Sequence, residues 1–542
     1  MENKNHSSNS FFQPILYSFV LILGMFLGFK IASSYYVKQG MLFKNVFNRQ
    51  DDLEYIISLI ENKYVDSIDR NKLLENGIEG IISSLDPHTV YIPPQKTQEV
   101  NEQLEGNLYG VGIEFAMYKD TARVLSILPN SPASKSAIRP GDAILKVDDS
   151  LIAGKNLNSD NIVSLIKGKA QTKVLLTLLH PNHDTEQVNL KRGQITINSI
   201  DAAYILPSNP DIGYIKIKLF SDNTYKEFKE TLEKLKAQHI DKLIIDVRQN
   251  PGGYMRAVTN ILDELIAGKH ILLTTKSKSS SEIIESNKDG IFEKEKVCVL
   301  IDEGSASASE ILAGAIQDLD RGYVIGSRSF GKGLVQEQFS LPNGGALRIT
   351  VSRYYLPSGR CIQKDYSHGK EAYLTEVYTR MHPLHTNEND SLTDNKRNEF
   401  FTTKKRPVFG NEGITPDYEI IEDSIGFSTA FDSLYQFNLI EMFSSKFYFL
   451  QQNYFDNIKT VSDLIHLKIS DSINQDLFNY IQKEIPSFSK NEFNKHQNLI
   501  DNYLLSEFAL FRFSKNEEYL ISGLKDKAIL KAIDILNNKN PH

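Results

Sequence analysis

The spacing of apolar residues divides the chain into stretches with different predicted structures. Between Asp51 and about Glu105, apolar residues recur every three or four positions, as in LEYIISLIENKYV and NKLLENGIEGIISSL, which predicts helices. From Ile195 to about Gln363, predicted strands such as DIGYIKIKLF, KLIIDVRQNPGG and KVCVLIDEG alternate with a helix at NTYKEFKETLEKLKAQ. This alternation predicts a partly parallel sheet covered by helices. After about Asp423, aromatic-rich patterns such as TAFDSLYQFNLIEMFSSKFYFLQQ predict helices with a Phe- and Tyr-rich core.

Short strands are predicted between Leu108 and Ile152, where ARVLSIL and AILKVDD alternate and PNSPASKS and RPGD supply turns. Together with a helix at NSDNIVSLIKG and a strand at KVLLTLL, this stretch resembles a PDZ domain. In such domains a glycine-containing turn presents backbone N–H groups to the terminal carboxylate of a peptide. The resemblance implies that Val111, Gly112 and Ile113 in YGVGIEF are these donors. The alternative is a strand entry that merely uses glycine.

The run FFQPILYSFVLILGMFLGF, Phe11 to Phe29, carries no charge. As a helix it would span about 28 Å, enough for the hydrocarbon core of a bilayer. It is longer than the usual signal-peptide core of about 7–15 residues, so the sequence favours an uncleaved anchor over a signal peptide cleaved near Ala32. Positive charges are more numerous after the run than before it, so the positive-inside rule does not by itself favour export.

The chain of 542 residues is too long for one hydrophobic core and predicts a multidomain α+β protein. A net charge of −7 gives no reason to expect nucleic acid as a partner, and two cysteines cannot build a disulfide framework. The chain is predicted to divide into five regions. These are a membrane anchor at 1–40, a helical region at 41–104, a PDZ domain at 105–190, a catalytic core at 191–421 and a helical region at 422–542. The core is predicted to contain a polar, irregular insertion near 364–406.

The stretch GSRSFGKGLVQ, from Gly326 to Gln336, has the glycine and lysine spacing of a phosphate-binding loop. Gly333 stands where such a loop needs Ser or Thr, and the following LVQEQFSLPNGGALRITVSRYYLP predicts a β-hairpin instead of a helix. Lys332 therefore needs another role. A lysine can act as a general base when desolvation lowers its pKa.

A candidate nucleophile lies upstream, in IDEGSASASEILAGAIQDL, which predicts a strand, a turn and a helix that begins near Ser307. A serine there lies at the positive end of a helix dipole, where a developing oxyanion is stabilised. The alternative is structural. Ser307 and Glu310 match the S-x-x-E capping box, and a cap needs no lysine.

These two runs, with DVRQNPGG, SRYYLPSGRCIQ and GITPDY in the same order, resemble the C-terminal processing, or tail-specific, serine peptidases over about Leu53 to Tyr418. The resemblance implies a PDZ domain joined to a crotonase-like α/β sandwich. It implies further that Ser307 is the nucleophile, Lys332 the general base, and Gln336 the residue that orients the amine. The implied oxyanion hole uses the backbone N–H groups of Ala308 and of either Gly252 or Gly253.

The sequence therefore predicts a membrane-anchored serine endopeptidase that needs no metal or other cofactor. Its expected substrates are proteins or peptides with free, apolar C-termini captured by the PDZ domain. By the resemblance, the catalytic part faces the periplasm or another extracytoplasmic space, and assembly into a homo-oligomer stays open. The alternative from another class is a membrane-tethered PDZ scaffold with an inactive peptidase core.

Histidines at two places in the sequence raise the question of metal binding or acid–base chemistry. A lone histidine that follows a helix end, such as His88 in LDPHTVY, favours a structural hydrogen-bonding role over that of a ligand or base. His382 and His385 have the spacing of half a metal site. The glutamate of HExxH is missing and Pro383 prevents a regular helix, so no metal is predicted there.

Overall fold

The computed structural model describes residues 50–538 with gaps at 119, 181–182, 288, 382–397 and 421–427, together with Gly24, Met25, Leu27 and Lys30. These residues fall into two units that divide after Ser84. The predicted anchor run lies outside the described residues, apart from isolated positions. Within the described ranges, we find no helix whose length and apolar character would let it cross a bilayer.

The described part of the first unit contains α1 (Gln50–Lys63) and α2 (Arg70–Ile82), as the apolar spacing predicted. Asp69 caps α2, because its carboxylate accepts the first free backbone N–H groups of that helix. Arg70 forms ion pairs with Glu54 and Glu61 of α1. The two helices are thus joined by polar contacts at the start of α2.

The second unit begins with β1 (Val90–Ile92), α3 (Pro94–Glu105) and β2 (Asn107–Gly110). The region that resembles a PDZ domain follows, with β3 (Ile113–Tyr118), β4 (Thr121–Ile127), β5 (Ala143–Val147), β6 (Ser150–Leu151), α4 (Ser159–Ile166), β7 (Lys173–Leu179) and β8 (Thr185–Lys191). Its sheet is antiparallel in the order β3-β4-β5-β7-β8. Alternating residues such as Ala122 and Val124 point into its core, and Ile162 of α4 is fully buried there.

The rest of the second unit up to residue 419 forms two sheets with helices. Its elements are β9 (Gly193–Thr196), β10 (Ile200–Leu206), β11 (Asn209–Ile217), α5 (Thr224–Lys236), β12 (Lys242–Asp246), α6 (Met255–Leu265), β13 (Ile271–Ser277), β14 (Ser281–Glu285), β15 (Lys296–Ile301), α7 (Ala308–Asp318), β16 (Tyr323–Gly326), β17 (Leu334–Ser340), β18 (Ala346–Tyr355), α8 (Lys370–Met381), β19 (Glu399–Phe401), β20 (Pro407–Phe409) and β21 (Tyr418–Glu419).

The larger of these sheets has the order β10-β11-β12-β15-β16-β21 and is parallel from β11 onward. The second sheet runs β1-β18-β13-β14, and β17 pairs with β18. Both faces of β12 are buried: Leu243 and Ile245 join one core cluster with α5, α6 and α7, whereas Ile244 joins a second cluster. A strand buried on both faces explains the continuous apolar run KLIID. The multidomain α+β prediction is confirmed.

The described C-terminal region consists of helices, namely α9 (Thr429–Gln436), α10 (Leu439–Leu450), α11 (Val461–Ile465), α12 (Asp471–Glu484), α13 (Lys490–Lys495), α14 (Gln497–Arg512), α15 (Lys515–Gly523) and α16 (Lys527–Asn537). Fully buried phenylalanines fill its core, among them Phe431, Phe493 and Phe508. Helix α16 packs elsewhere: Ile529 and Ala532 cover the outer face of the parallel sheet. This last described helix therefore packs on the parallel sheet, which the sequence pattern did not predict.

The prediction that the insertion near 364–406 is irregular is wrong for its described part. This stretch contains the three-turn helix α8 and a hairpin of β19 and β20. Tyr373 of α8 is only 2% exposed. Polar composition suggested a loop because most of α8 faces solvent and only a few of its side chains pack inward. His382 and His385 lie outside the described residues.

Candidate active site

Three serines at alternate positions, Ser305, Ser307 and Ser309, lie around the start of α7, and their surroundings differ. Ser305 is fully buried, and its hydroxyl donates to Val247 O at 2.8 Å. Ser309 is also fully buried, and its hydroxyl donates to Asn250 O at 2.9 Å. Ser307 is partly exposed. Ser307 is therefore the serine of this run that a substrate can reach.

Ser307 occupies the N-cap position of α7 with φ 55° and ψ −112°. A non-glycine residue in this region carries backbone strain of about 1–3 kcal/mol, and such residues concentrate at functional sites. The conformation places the serine on a sharp turn between β15 and α7. At this position its side chain lies at the first turn of α7, where the Ala308 N–H has no intrahelical acceptor.

Lys332 lies half-buried in the loop before β17, and its Nζ donates to Gln336 Oε1 at 2.9 Å. Burial lowers the pKa of Lys332 from its ordinary value of 10.5, and the nearby Arg348 lowers it further. Glu310 and Asp86 oppose this shift. The surroundings thus favour the neutral amine relative to a lysine in water.

Glu310 joins the two loops that carry Ser307 and Lys332. Its carboxylate is fully buried, and Oε2 accepts the backbone N–H of Ser307 at 2.8 Å and that of Lys332 at 2.9 Å. Oε1 accepts the Ser329 hydroxyl at 2.6 Å and the Gly331 N–H at 2.7 Å. The sequence assigned Glu310 only to a capping box. The structure has that bond to Ser307, but the same carboxylate also holds the lysine loop.

Tyr354 of β18 makes a second bridge between the same two residues. Its buried hydroxyl lies 2.7 Å from Lys332 O and 3.2 Å from Ser307 O. Sequence reasoning missed Tyr354, because nothing in SRYYLP shows that the hydroxyl meets two carbonyls distant in the chain. Ser307 and Lys332 are therefore linked through both their N–H and their C=O groups.

The Ser307 hydroxyl and the Lys332 amine form no direct hydrogen bond with each other in the described structure, and the amine donates to Gln336 instead. Catalytic hydrogen bonds are often long in a substrate-free state and tighten when substrate binds. The backbone links through Glu310 and Tyr354 fix the two loops relative to each other.

The turn NPGG lies directly against Ser307. A Cβ at Gly252 would meet Ser307 Cβ at 2.7 Å and Ala308 N at 2.9 Å. Gly252 N–H already donates to Asn250 Oδ1 at 2.8 Å, so it is not available to an oxyanion. The sequence left Gly252 and Gly253 open as donors, and this bond favours Gly253. The second expected donor, Ala308 N–H, is in the first turn of α7, where no intrahelical acceptor exists.

Asn250 is a further residue that sequence reasoning missed. It is fully buried, and its side chain donates to Ile217 O at 3.0 Å while it accepts from Gly252. Its carbonyl accepts Ala306 N–H at 3.0 Å. Asn250 therefore joins the glycine turn to the serine turn. The asparagine of NPGG was the available sequence signal, because Asn often hydrogen-bonds the backbone two residues on.

The expected peptide-binding turn of the PDZ-like region is held through its carbonyl groups. Val111 O accepts Ala133 N–H at 2.8 Å, and Gly112 O accepts Leu128 N–H at 3.0 Å. Gly112 has φ +81°, and a Cβ there would lie 2.1 Å from Ser131 Cβ, so only glycine fits. Ile113 begins β3 directly after the turn. The structure thus places all three predicted residues at one end of β3.

Comparisons with known proteins agree with this architecture. The model of peptidase family S41 matches residues 211–369, that of the PDZ domain matches 110–191, and that of the activating protease CtpB N-terminal domain matches 30–96. The carboxy-terminal processing protease CtpB of Bacillus subtilis (strain 168) is 35% identical over 324 residues, which cover 58% of this chain and 65% of that relative. The carboxy-terminal-processing protease of Bartonella bacilliformis is 33% identical over 315 residues, which cover 57% of this chain and 71% of that relative.

Among solved structures, the photosystem II D1 C-terminal processing protease aligns with 29% identity and a TM-score of 0.34, over 55% of this chain and 81% of that one. The sequence matches define a protein that combines a PDZ domain with a region of peptidase family S41. More particularly, the chain belongs to the carboxy-terminal processing proteases of peptidase family S41. It spans 65% of the length of the Bacillus subtilis relative.

Proposed function

We propose that this chain is a serine endopeptidase in which Ser307 is the nucleophile and Lys332 the general base. The supporting observation is the double bridge by Glu310 and Tyr354, which joins these two residues although they lie far apart in the chain. A helix cap alone would need neither bridge to Lys332. Burial lowers the pKa of Lys332, which favours the neutral amine that proton abstraction requires.

In the proposed reaction, neutral Lys332 accepts the Ser307 hydroxyl proton as Oγ attacks the peptide carbonyl. The N–H groups of Ala308 and Gly253 stabilise the oxyanion of the tetrahedral intermediate. Lys332 then donates its proton to the leaving amine, and water hydrolyses the acyl-enzyme. A neutral amine that donates one N–H to Gln336 still has its lone pair for the serine proton. Gln336 therefore orients Lys332 without blocking it.

The proposed substrates are proteins with a free, apolar C-terminus. Val111, Gly112 and Ile113 are proposed to bind the terminal carboxylate, since their turn is fixed through its carbonyls at the start of β3. We further propose an N-terminal membrane anchor and an extracytoplasmic catalytic part. The anchor proposal is supported by the uncharged run from Phe11 to Phe29.

The test compares wild type, Ser307→Ala and Lys332→Ala on an unfolded protein with an apolar C-terminus. Lys278→Ala, at an exposed lysine, is the matched control. We expect cleavage by wild type and control and none by the two site variants. Cleavage that persists in either site variant would exclude the dyad. A wild type that binds the C-terminus but never cleaves would instead identify a PDZ scaffold.

A further inference from the structure

A chain of hydrogen bonds leads from Lys332 to helix α8. Lys332 Nζ donates to Gln336 Oε1 at 2.9 Å, and Gln336 Nε2 donates to the backbone carbonyl of His88. The His88 ring Nε2 lies 2.9 Å from the hydroxyl of Tyr373. Gln363 Nε2 donates to the same hydroxyl at 3.3 Å. Tyr373 is thus the end of a chain that begins at the proposed base.

The donors limit the direction of these bonds. Gln363 Nε2 can only donate, so the Tyr373 hydroxyl accepts from it, and the hydroxyl can donate its own proton to His88 Nε2 when that nitrogen carries no hydrogen. This arrangement requires a neutral imidazole. Burial and the neighbouring Lys332 lower the pKa of His88 to about 4, so the ring is neutral above that pH.

A second set of contacts joins α8 to the other end of the lysine loop. Lys364 Nζ lies 4.4 Å from the Phe330 ring centre and 4.3 Å from that of Tyr373. The same amine donates to Tyr373 O at 2.9 Å and to Glu376 at 2.8 Å. Arg380 of α8 donates to the carbonyl of Ser329 at 3.0 Å. Helix α8 therefore contacts Ser329 and Phe330, which precede Lys332, and it is linked to Gln336, which follows Lys332, through His88.

We propose that α8 positions the catalytic base, and that Tyr373 is a positioning residue which acts on Lys332 through His88 and Gln336. The proposal rests on the proposed peptidase function. Tyr373 acts through other residues, since its hydroxyl bonds to His88 and Gln363 and not to Ser307. Its role is to hold the carbonyl of His88 where Gln336 can bind it, and so to hold the amide oxygen that receives the lysine N–H.

The groups around Lys332 and His88 determine how loss of the Tyr373–His88 hydrogen bond should change the pKa of Lys332. The groups that act on Lys332 are Arg348, which favours the neutral amine, and Glu310 and Asp86, which favour the charged one. Those that act on His88 are Lys332, Asp86, Lys364 and Lys370. Desolvation is the largest influence on both residues. Water admitted beside a loosened His88 would therefore raise the pKa of Lys332 toward its ordinary value.

The experiment measures kcat and KM of Tyr373→Phe against pH on a cleavable unfolded protein. Loss of one positioning hydrogen bond is expected to lower kcat roughly tenfold, with KM within about twofold of wild type. The acidic limb of the pH profile, where Lys332 must lose its proton, is expected to move to higher pH. Tyr378→Phe, on the same helix but 60% exposed, is the matched control and should behave as wild type.

Thermal unfolding of both variants separates positioning from folding. A Tyr373→Phe variant with the wild-type acidic limb overturns the proposal, whether or not its Tm and activity fall together. A shifted limb with an unchanged Tm supports it. If wild type itself does not cleave, the proposed function fails, and that result is distinct from an active wild type with an unaltered variant.

Discussion

The backbone N–H groups of Ser307 and Lys332 donate to the same carboxylate oxygen, at 2.8 and 2.9 Å. That oxygen belongs to Glu310, which is fully buried. One carboxylate therefore sets the distance between the loop that carries the proposed nucleophile and the loop that carries the proposed base. Both side-chain oxygens of Glu310 must accept hydrogen bonds, because all four groups that bond to this carboxylate are donors.

Glu310→Gln should therefore impair both folding and activity. A glutamine offers an N–H to two of the donors and leaves them buried without an acceptor, at a cost of about 2–4 kcal/mol. A displacement of the lysine loop by about 1 Å would lower kcat roughly 100-fold. Denaturant unfolding and kcat measurements check both effects. Glu303→Gln, in the preceding turn, is the control. A stable, fully active Glu310→Gln enzyme would refute the bridging role.

Gly253→Ala tests the proposed oxyanion donor. Gly253 has φ +140°, and an added Cβ would lie 2.0 Å from Phe220 O, so the turn must move. Loss of one oxyanion donor lowers kcat about 100- to 1,000-fold. Gly268→Ala is the matched control, because Gly268 also has a positive φ of +76° but no atom lies within 4 Å of its added Cβ. Equal kcat values in the two variants would contradict the assignment.

Asp526→Asn tests whether α16 supports the catalytic core. Asp526 caps α16 and pairs with Arg248 at 2.7 Å, and Arg248 also pairs with the buried Asp246. Asparagine keeps the cap and removes the charge, so we expect a loss of about 1–2 kcal/mol of stability. Hydrogen exchange in α16 should become faster. Asp534→Asn, on the same helix, is the control, and equal exchange in both variants would disprove the contribution of the ion pair.

The C-terminal helices should become less stable as the pH rises. Burial raises the pKa of Glu507 to about 8 and that of Glu518 to about 7, and the Glu518 carboxylate raises the pKa of Glu507 further. The folded state therefore keeps protons that the unfolded chain releases above its ordinary glutamate value of 4.5. This stabilisation is fully present below pH 4.5 and is lost as the pH rises through about 7 and about 8.

Urea unfolding between pH 5 and 8 measures this effect. At a pH where the folded state binds one more proton than the unfolded chain, the free energy of unfolding falls by about 1.4 kcal/mol per pH unit. Glu507→Gln should flatten the slope, because an amide has no proton to release. Glu484→Gln, at an exposed position of α12, should leave it unchanged. A wild-type slope that is absent or reversed would contradict the prediction.

The sequence predicted those features that depend on local pattern. The buried strand KLIID, the hairpin at Asn343 and the small residues around Ser307 could all be read from neighbouring positions. Contacts between distant parts of the chain could not be predicted from such local patterns. Tyr354 reaches two carbonyls that lie 47 and 22 residues away. Helix α8 was missed for the same reason: its polar composition suggested a loop, and only the folded structure brings Tyr373 to His88, 285 residues away.

The most direct test of the central claim is the pre-steady-state reaction with an activated ester of an apolar peptide, followed by mass analysis of the intact protein. For wild type we expect a burst of leaving group, a covalent acyl adduct on Ser307, and a burst rate that rises with pH through one ionisation below 10.5, the ordinary value for lysine. Lys332→Ala should show neither burst nor adduct. An undiminished burst in Lys332→Ala, or an adduct on any residue other than Ser307, would contradict the account.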